Sequence, residues 1–95
     1  MAAYVIANVR VTDPDRYPEY TSRVLQTIER YGGRYLARGG KVEVLEGDWE
    51  PQRLVIVEFE SMERFREFYD SPEYAPLKQL RHEAAVTQLV VVEGL

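Results

Sequence analysis

Apolar and polar positions alternate from Tyr4 to Val11, and the segment is rich in β-branched residues, so it reads as a strand. Val5, Ala7, Val9 and Val11 share one face, small and wholly apolar. Tyr4, Ile6, Asn8 and Arg10 share the other, which turns polar at Asn8 and is expected to face the helices. After Thr12 the period changes. Tyr17, Tyr20, Val24, Ile28 and Tyr31 recur at spacings of three and four and form the stripe of an amphipathic helix. Asp13 suits its N-cap and Pro14 its first position, while Pro18 predicts an irregular first turn. Gly32-Gly33 ends it, because glycine enters the left-handed C′ conformation without a Cβ clash.

Arg34 to Glu46 is strand-like but interrupted by Gly39-Gly40. The pair fits either a two-residue hairpin turn or a bulge in one long bent strand, and the bulge is favoured because a better turn follows at 47–52. Arg53 to Phe59 is almost continuously apolar, as a strand buried on both faces should be. Ser61 caps a second helix with the stripe Met62, Phe65, Phe68 and Tyr69. Asp70-Ser71-Pro72 breaks it. A further helical piece carries Tyr74, Leu77, Leu80 and Ala84, with Pro76 disturbing its first turn, and Thr87 to Glu93 closes the chain as a strand.

The order βαββαβ predicts an α+β, ferredoxin-like domain over 1–95, a four-stranded antiparallel sheet with two helical regions on one face. The uncovered face is expected to show Val, Ala and Phe. A patch of that kind is avoided by monomers, so a second copy is expected to pack against it. A chain of 95 residues buries only roughly 60–70% of its surface, and association with a second copy would add to that.

Composition narrows the partners. The net charge is −4 with no basic run, which argues against nucleic acid. There is no cysteine, and a small secreted domain often needs disulfides. The short apolar run near the start has no basic region before it, and nothing approaches the roughly 20 apolar residues of a membrane helix. The expected setting is the cytoplasm, without a membrane partner. Eleven aromatics, seven of them tyrosine, argue for an ordered core.

Several stretches together resemble the domain-of-unknown-function 1330 family, within the dimeric α+β barrel superfamily. They are Asp13-Pro14 with Tyr17 and Tyr20, residues 31–40 (YGGRYLARGG), residues 46–49 (EGDW), residues 53–59 (RLVIVEF), and residues 70–74 (DSPEY) with Arg81. The resemblance covers almost the whole chain. It implies a ferredoxin-like protomer and a homodimer whose two sheets form a dimeric α+β barrel. It implies no activity. Phe68 stands where members often carry Trp.

Glu58 is the leading candidate for chemistry. A lone carboxylate in so apolar a strand is expected to be paired or protonated, and Arg38 is the natural partner if the two strands are neighbours. Three readings stay open: a pair that only specifies register, an anion or carbonyl site where Arg38 binds and Glu58 acts as acid or base, or an exposed Glu58. Asn8 reads as a satisfied buried amide or a ligand contact. His82, the only histidine, reads as surface decoration or a third catalytic candidate, since a single His without Cys makes no metal site. Haem-degrading relatives in the superfamily use an Asn on the first strand with a Trp and a His on the second helical region. Asn8 and His82 could take such roles, but Phe68 replaces the Trp. No phosphate loop, dinucleotide fingerprint or Ser-His-Asp order is present, and neither cofactor nor metal is expected.

The resulting expectation is a homodimer with a small-molecule pocket between sheet and helices, built from Asn8, Tyr20, Arg38, Glu58, Tyr69 and Tyr74. The rival readings are a cofactor-independent monooxygenase or isomerase of the same barrel type, and a structural or regulatory dimer without ligand. The sequence assigns no reaction.

Overall fold

A computed structural model describes residues 1–95. The elements run β1 (Ala3–Val11), α1 (Tyr17–Arg30), β2 (Arg34–Arg38), β3 (Leu54–Phe59), α2 (Met62–Tyr69), α3 (Ala75–Ala84) and β4 (Ala85–Glu93). The sheet order is β2-β3-β1-β4, with every pair antiparallel. This is the split arrangement expected from the element order. No helix is long and apolar enough to cross a membrane.

Local chemistry sets most boundaries. Asp13 Oδ1 accepts from the backbone N–H of Asp15 and Arg16, forming a turn that leads into α1. Helix α1 therefore begins at Tyr17, three residues beyond the Pro14 start expected from the sequence. Pro18 falls in its first turn, where no N–H is required, and so does Pro76 in α3. The end of α1 is a Schellman motif: Gly33 N–H donates to the Ile28 carbonyl and Gly32 N–H to that of Glu29, with Gly32 at φ +79°. Ser61 Oγ accepts from Arg64 N–H at 3.0 Å and caps α2. Ser71 Oγ accepts from Tyr74 N–H and donates to the Phe68 carbonyl, which fixes the break between α2 and α3.

Gly33 also serves the core. A Cβ there would stand 2.7 Å from Phe59 Cε1 and 2.8 Å from Ile28 Cγ2, and neither side chain has room to move. Gly33→Ala is therefore expected to destabilise by about 1–3 kcal/mol through overpacking. Thermal melts should show a drop of about 4–8 °C for each kcal/mol.

Three expectations are corrected. The strand from Arg34 does not reach Glu46: β2 ends at Arg38, and residues 39–53 carry no strand. Gly39, at φ +72°, turns the chain away, and β3 offers no ladder before Leu54. The bulge exists but lies between Tyr35 and Ala37, not at Gly39-Gly40. Third, the small face of β1 is the one under the helices. Val5, Ala7 and Val9 are buried there, beneath the rings of α1, α2 and α3. Tyr4, Ile6 and Asn8 lie on the open side.

That open side carries the expected Val and Ala, but Ile and Tyr in place of Phe. Register places Ala37, Ile56, Ile6 and Val90 in one row across all four strands, and Arg34, Glu58, Tyr4 and Val92 in the next. Val90 keeps 60% of its surface and Val92 50%. The protomer is a slab of 37 × 34 × 16 Å with a surface of 6275 Å². A compact monomer of 11.1 kDa would expose about 5,700 Å².

Candidate functional site

Small residues below and rigid rings above leave a cavity. Its floor is Val5, Ala7, Val9 and Thr87 of the sheet; its roof is Tyr17, Tyr20, Phe68 and Tyr74 of the helices. It has about 60 Å³ open to the centres of water molecules. One water needs about 10–15 Å³ by that measure, so several fit. Fifteen of the twenty lining residues are apolar, which leaves five to account for: Thr21, Arg38, Arg53, Arg81 and Thr87.

Arg81 comes from the buried face of α3 and is only 4% exposed. Its one protein acceptor is the Tyr74 phenol oxygen, 3.4 Å from Nε, a long contact. Burial works against its charge, but the facing phenol oxygens of Tyr74 and Tyr20 more than offset that, so its pKa lies above the ordinary value. Tyr20 and Tyr74 share a hydrogen bond of 2.9 Å. Burial and the Tyr74 oxygen push the Tyr20 phenol far above its ordinary pKa, so it stays protonated.

Arg53 precedes β3 and lies across Gly39, where any Cβ would collide with its guanidinium. Its Cζ is 5.9 Å from the Tyr17 ring centroid. Arg53 Nε and Thr87 Oγ1 are buried and have no partner in the protein. The two flank β1 at Val9: Thr87 is its register partner, and Val9 N–H donates to the Arg53 carbonyl. Arg38 marks the mouth of the cavity, exposed, with Nη2 donating to the Thr21 carbonyl at 3.0 Å and Cζ 4.6 Å over the Tyr35 ring. No Asp, Glu or His lines the cavity.

Of the six residues expected to form the pocket, Tyr20, Arg38, Tyr69 and Tyr74 do line it. Asn8 and Glu58 do not. Asn8 is on the open face, where its Oδ1 accepts from Gln52 N–H at 3.1 Å and ties the approach to β3 against β1. Glu58 is on that face too and pairs with Arg34 at 2.7 Å, not with Arg38. The Arg34 hydrogen bond holds its carboxyl below the ordinary pKa, so it is ionised rather than protonated. Register sets Arg34, not Arg38, opposite Glu58, and the bulge then turns Arg38, opposite Val55, under the helices.

His82 is exposed and outside the cavity, its pKa lowered by burial of the ring edge and by Arg81 and Lys78. No three His, Asp or Glu side chains gather as a metal site.

Arg53, Arg81 and Thr87 were missed as site residues. Arg81 did carry a signal. Tyr74, Leu77, Arg81 and Ala84 repeat at three, four and three, so an arginine stands on the apolar stripe.

Solved structures share this fold. A protein of unknown function from Rhodopseudomonas palustris is 25% identical, with a TM-score of 0.76 over 99% of this chain and 82% of its own. A dimeric ferredoxin-like protein of unknown function from Jannaschia sp. CCS1 is 11% identical, with a TM-score of 0.73 over 99% and 100%. SnoaB, a cofactor-independent oxygenase from Streptomyces nogalater, is 11% identical, with a TM-score of 0.69 over 99% and 93%. At such identities the last two show the fold alone. No functionally curated protein matches. The model of a family described as "Domain of unknown function (DUF1330)" matches residues 2–95.

Proposed function

This chain belongs to the DUF1330 family, and we propose that it works as a homodimer holding one small molecule per protomer, between sheet and helices. The observation that carries this reading is the cavity itself. Buried polar atoms without protein partners, on residues that line a cavity with room for several waters, are costly unless something satisfies them. The open sheet face supports the dimer, and a relative of the same fold is described as dimeric. A cytoplasmic setting belongs to the same proposal.

The SnoaB likeness favours an oxygenase only at the level of fold. Such chemistry without a cofactor starts by taking a proton from the substrate. The cavity wall offers guanidinium and phenol groups but no carboxylate or imidazole as base. Binding is the reading these groups support.

Native mass spectrometry of freshly purified protein, beside a denaturing run, tests both halves. The expected result is a species of twice 11.1 kDa carrying a small adduct on each protomer, lost on denaturation. A monomer would sink the dimer. A dimer that stays clean after incubation with a small-molecule panel would sink the pocket and leave a purely structural dimer.

A further inference from the structure

We propose that the pocket recognises a small monocarboxylate: its carboxylate seats on Arg81, with Arg53 and Thr87 as further donors, and its short apolar body fills the space under Tyr17 and Tyr20. This rests on the pocket reading above and names its ligand.

A buried guanidinium is costly unless an anion accompanies it. Three guanidinium groups line this cavity and no acid does. The nearby carboxylates are engaged elsewhere: Glu83 with Arg16, Glu58 with Arg34, and Glu73 with the Tyr31 phenol. Arg81 has only the long contact to Tyr74, and Arg53 Nε and Thr87 Oγ1 have nothing. Arg81 and Arg53 can only donate and the Thr87 hydroxyl can do so too, so the missing species is an acceptor with negative charge.

Shape and size narrow the class. A guanidinium presents parallel N–H groups that match the two oxygens of a carboxylate. Apart from the Thr21 and tyrosine hydroxyls the remaining wall is aliphatic and aromatic, which suits an anion attached to an apolar body. At about 10–15 Å³ per water-sized atom, the enclosed 60 Å³ takes about four to six heavy atoms. That describes a short aliphatic acid, or a longer one whose tail emerges past Arg38. Arg38, exposed at the mouth, meets the anion first, and Arg81 holds it inside.

The test is an NMR titration of the intact protein with butyrate and its neutral isostere butyramide, with inorganic phosphate as a third probe. Butyrate is expected to shift cavity-lining amides, with butyramide and phosphate at least about tenfold weaker. Arg81→Met should lower butyrate affinity about tenfold or more. Should that variant not fold, Arg53→Gln is the second reading and should weaken butyrate severalfold. Equal binding of butyrate and butyramide would overturn the carboxylate and leave the pocket. Stronger binding of phosphate, or butyrate affinity untouched in the folded variants, would also overturn it. No shift with any probe would count against the carboxylate, while an adduct seen by native mass spectrometry would keep the pocket.

Discussion

Phe59→Ala is expected to remove about half of the protein's stability. Phe59 ends β3 and is 1% exposed. Its ring is 5.6 Å from that of Phe65, edge to face, and 5.2 Å from that of Phe68, which in turn lies 4.3 Å from Tyr74. One side chain thus joins the sheet to α2 and, through Phe68, to the start of α3. Truncating a buried Phe to Ala costs about 3–5 kcal/mol, and each aromatic pair adds about 0.5–1.5 kcal/mol beyond its area. A domain of this length has about 5–14 kcal/mol in total. The close approach of Gly33 prevents easy collapse, because the backbone already touches the ring and cannot follow it inward. Urea unfolding followed by circular dichroism, at fixed protomer concentration, should show the midpoint falling by about half with little change in slope. A loss below about 1 kcal/mol would mean that the core does not hinge on this ring.

The elements readable from the sequence were those specified by neighbouring residues. Ser61, Ser71, Gly32 and Gly33 act within a few positions of themselves, and each does what its local chemistry dictates. The misreadings share a different cause. Residues 41–46 are written like a strand, but a strand needs a partner, and β3 begins only at Leu54. Both faces of β1 begin apolar, the second as far as Ile6, so which one the helices cover depends on fitting small residues under large rings, a tertiary choice. The Arg38–Glu58 pairing failed on register: Arg34 stands opposite Glu58, and Arg38 lies towards the other end of β3, opposite Val55. Counting by two from Arg34 keeps Arg38 on the face of Glu58; the bulge at Leu36 moves it to the other. Glu58 and Asn8 left the site for that kind of reason, while Arg53 and Thr87 entered it from element ends whose burial is set only once the sheet and helices meet.

Ile56→Lys is the substitution expected to separate the proposed dimer while sparing the fold of the single chain. Ile56 sits second in the row Ala37, Ile56, Ile6, Val90, with no helix above it. Within one protomer the long lysine stem can lie along Ile6 and lift its ammonium into water, at a strand-propensity cost below about 1 kcal/mol. Across a two-fold interface the same change acts twice, because one patch serves both copies. The slab face, 37 by 34 Å, is large enough to bury the about 800 Å² per partner of a stable complex. An ammonium buried there without a counter-ion costs several kcal/mol. Two of them should weaken association by at least about 10³-fold, since each 1.4 kcal/mol is a factor of ten. The edge pair Arg34–Glu58 offers no rescue, because its carboxylate already accepts from Arg34 at 2.7 Å. Sedimentation across a dilution series should find a folded monomer, with the circular dichroism of the parent chain. If Ile56→Lys remained dimeric, the two copies would have to meet elsewhere. Val42, Val44 and Leu45, exposed and unpaired beyond β2, would then be the surface to change next.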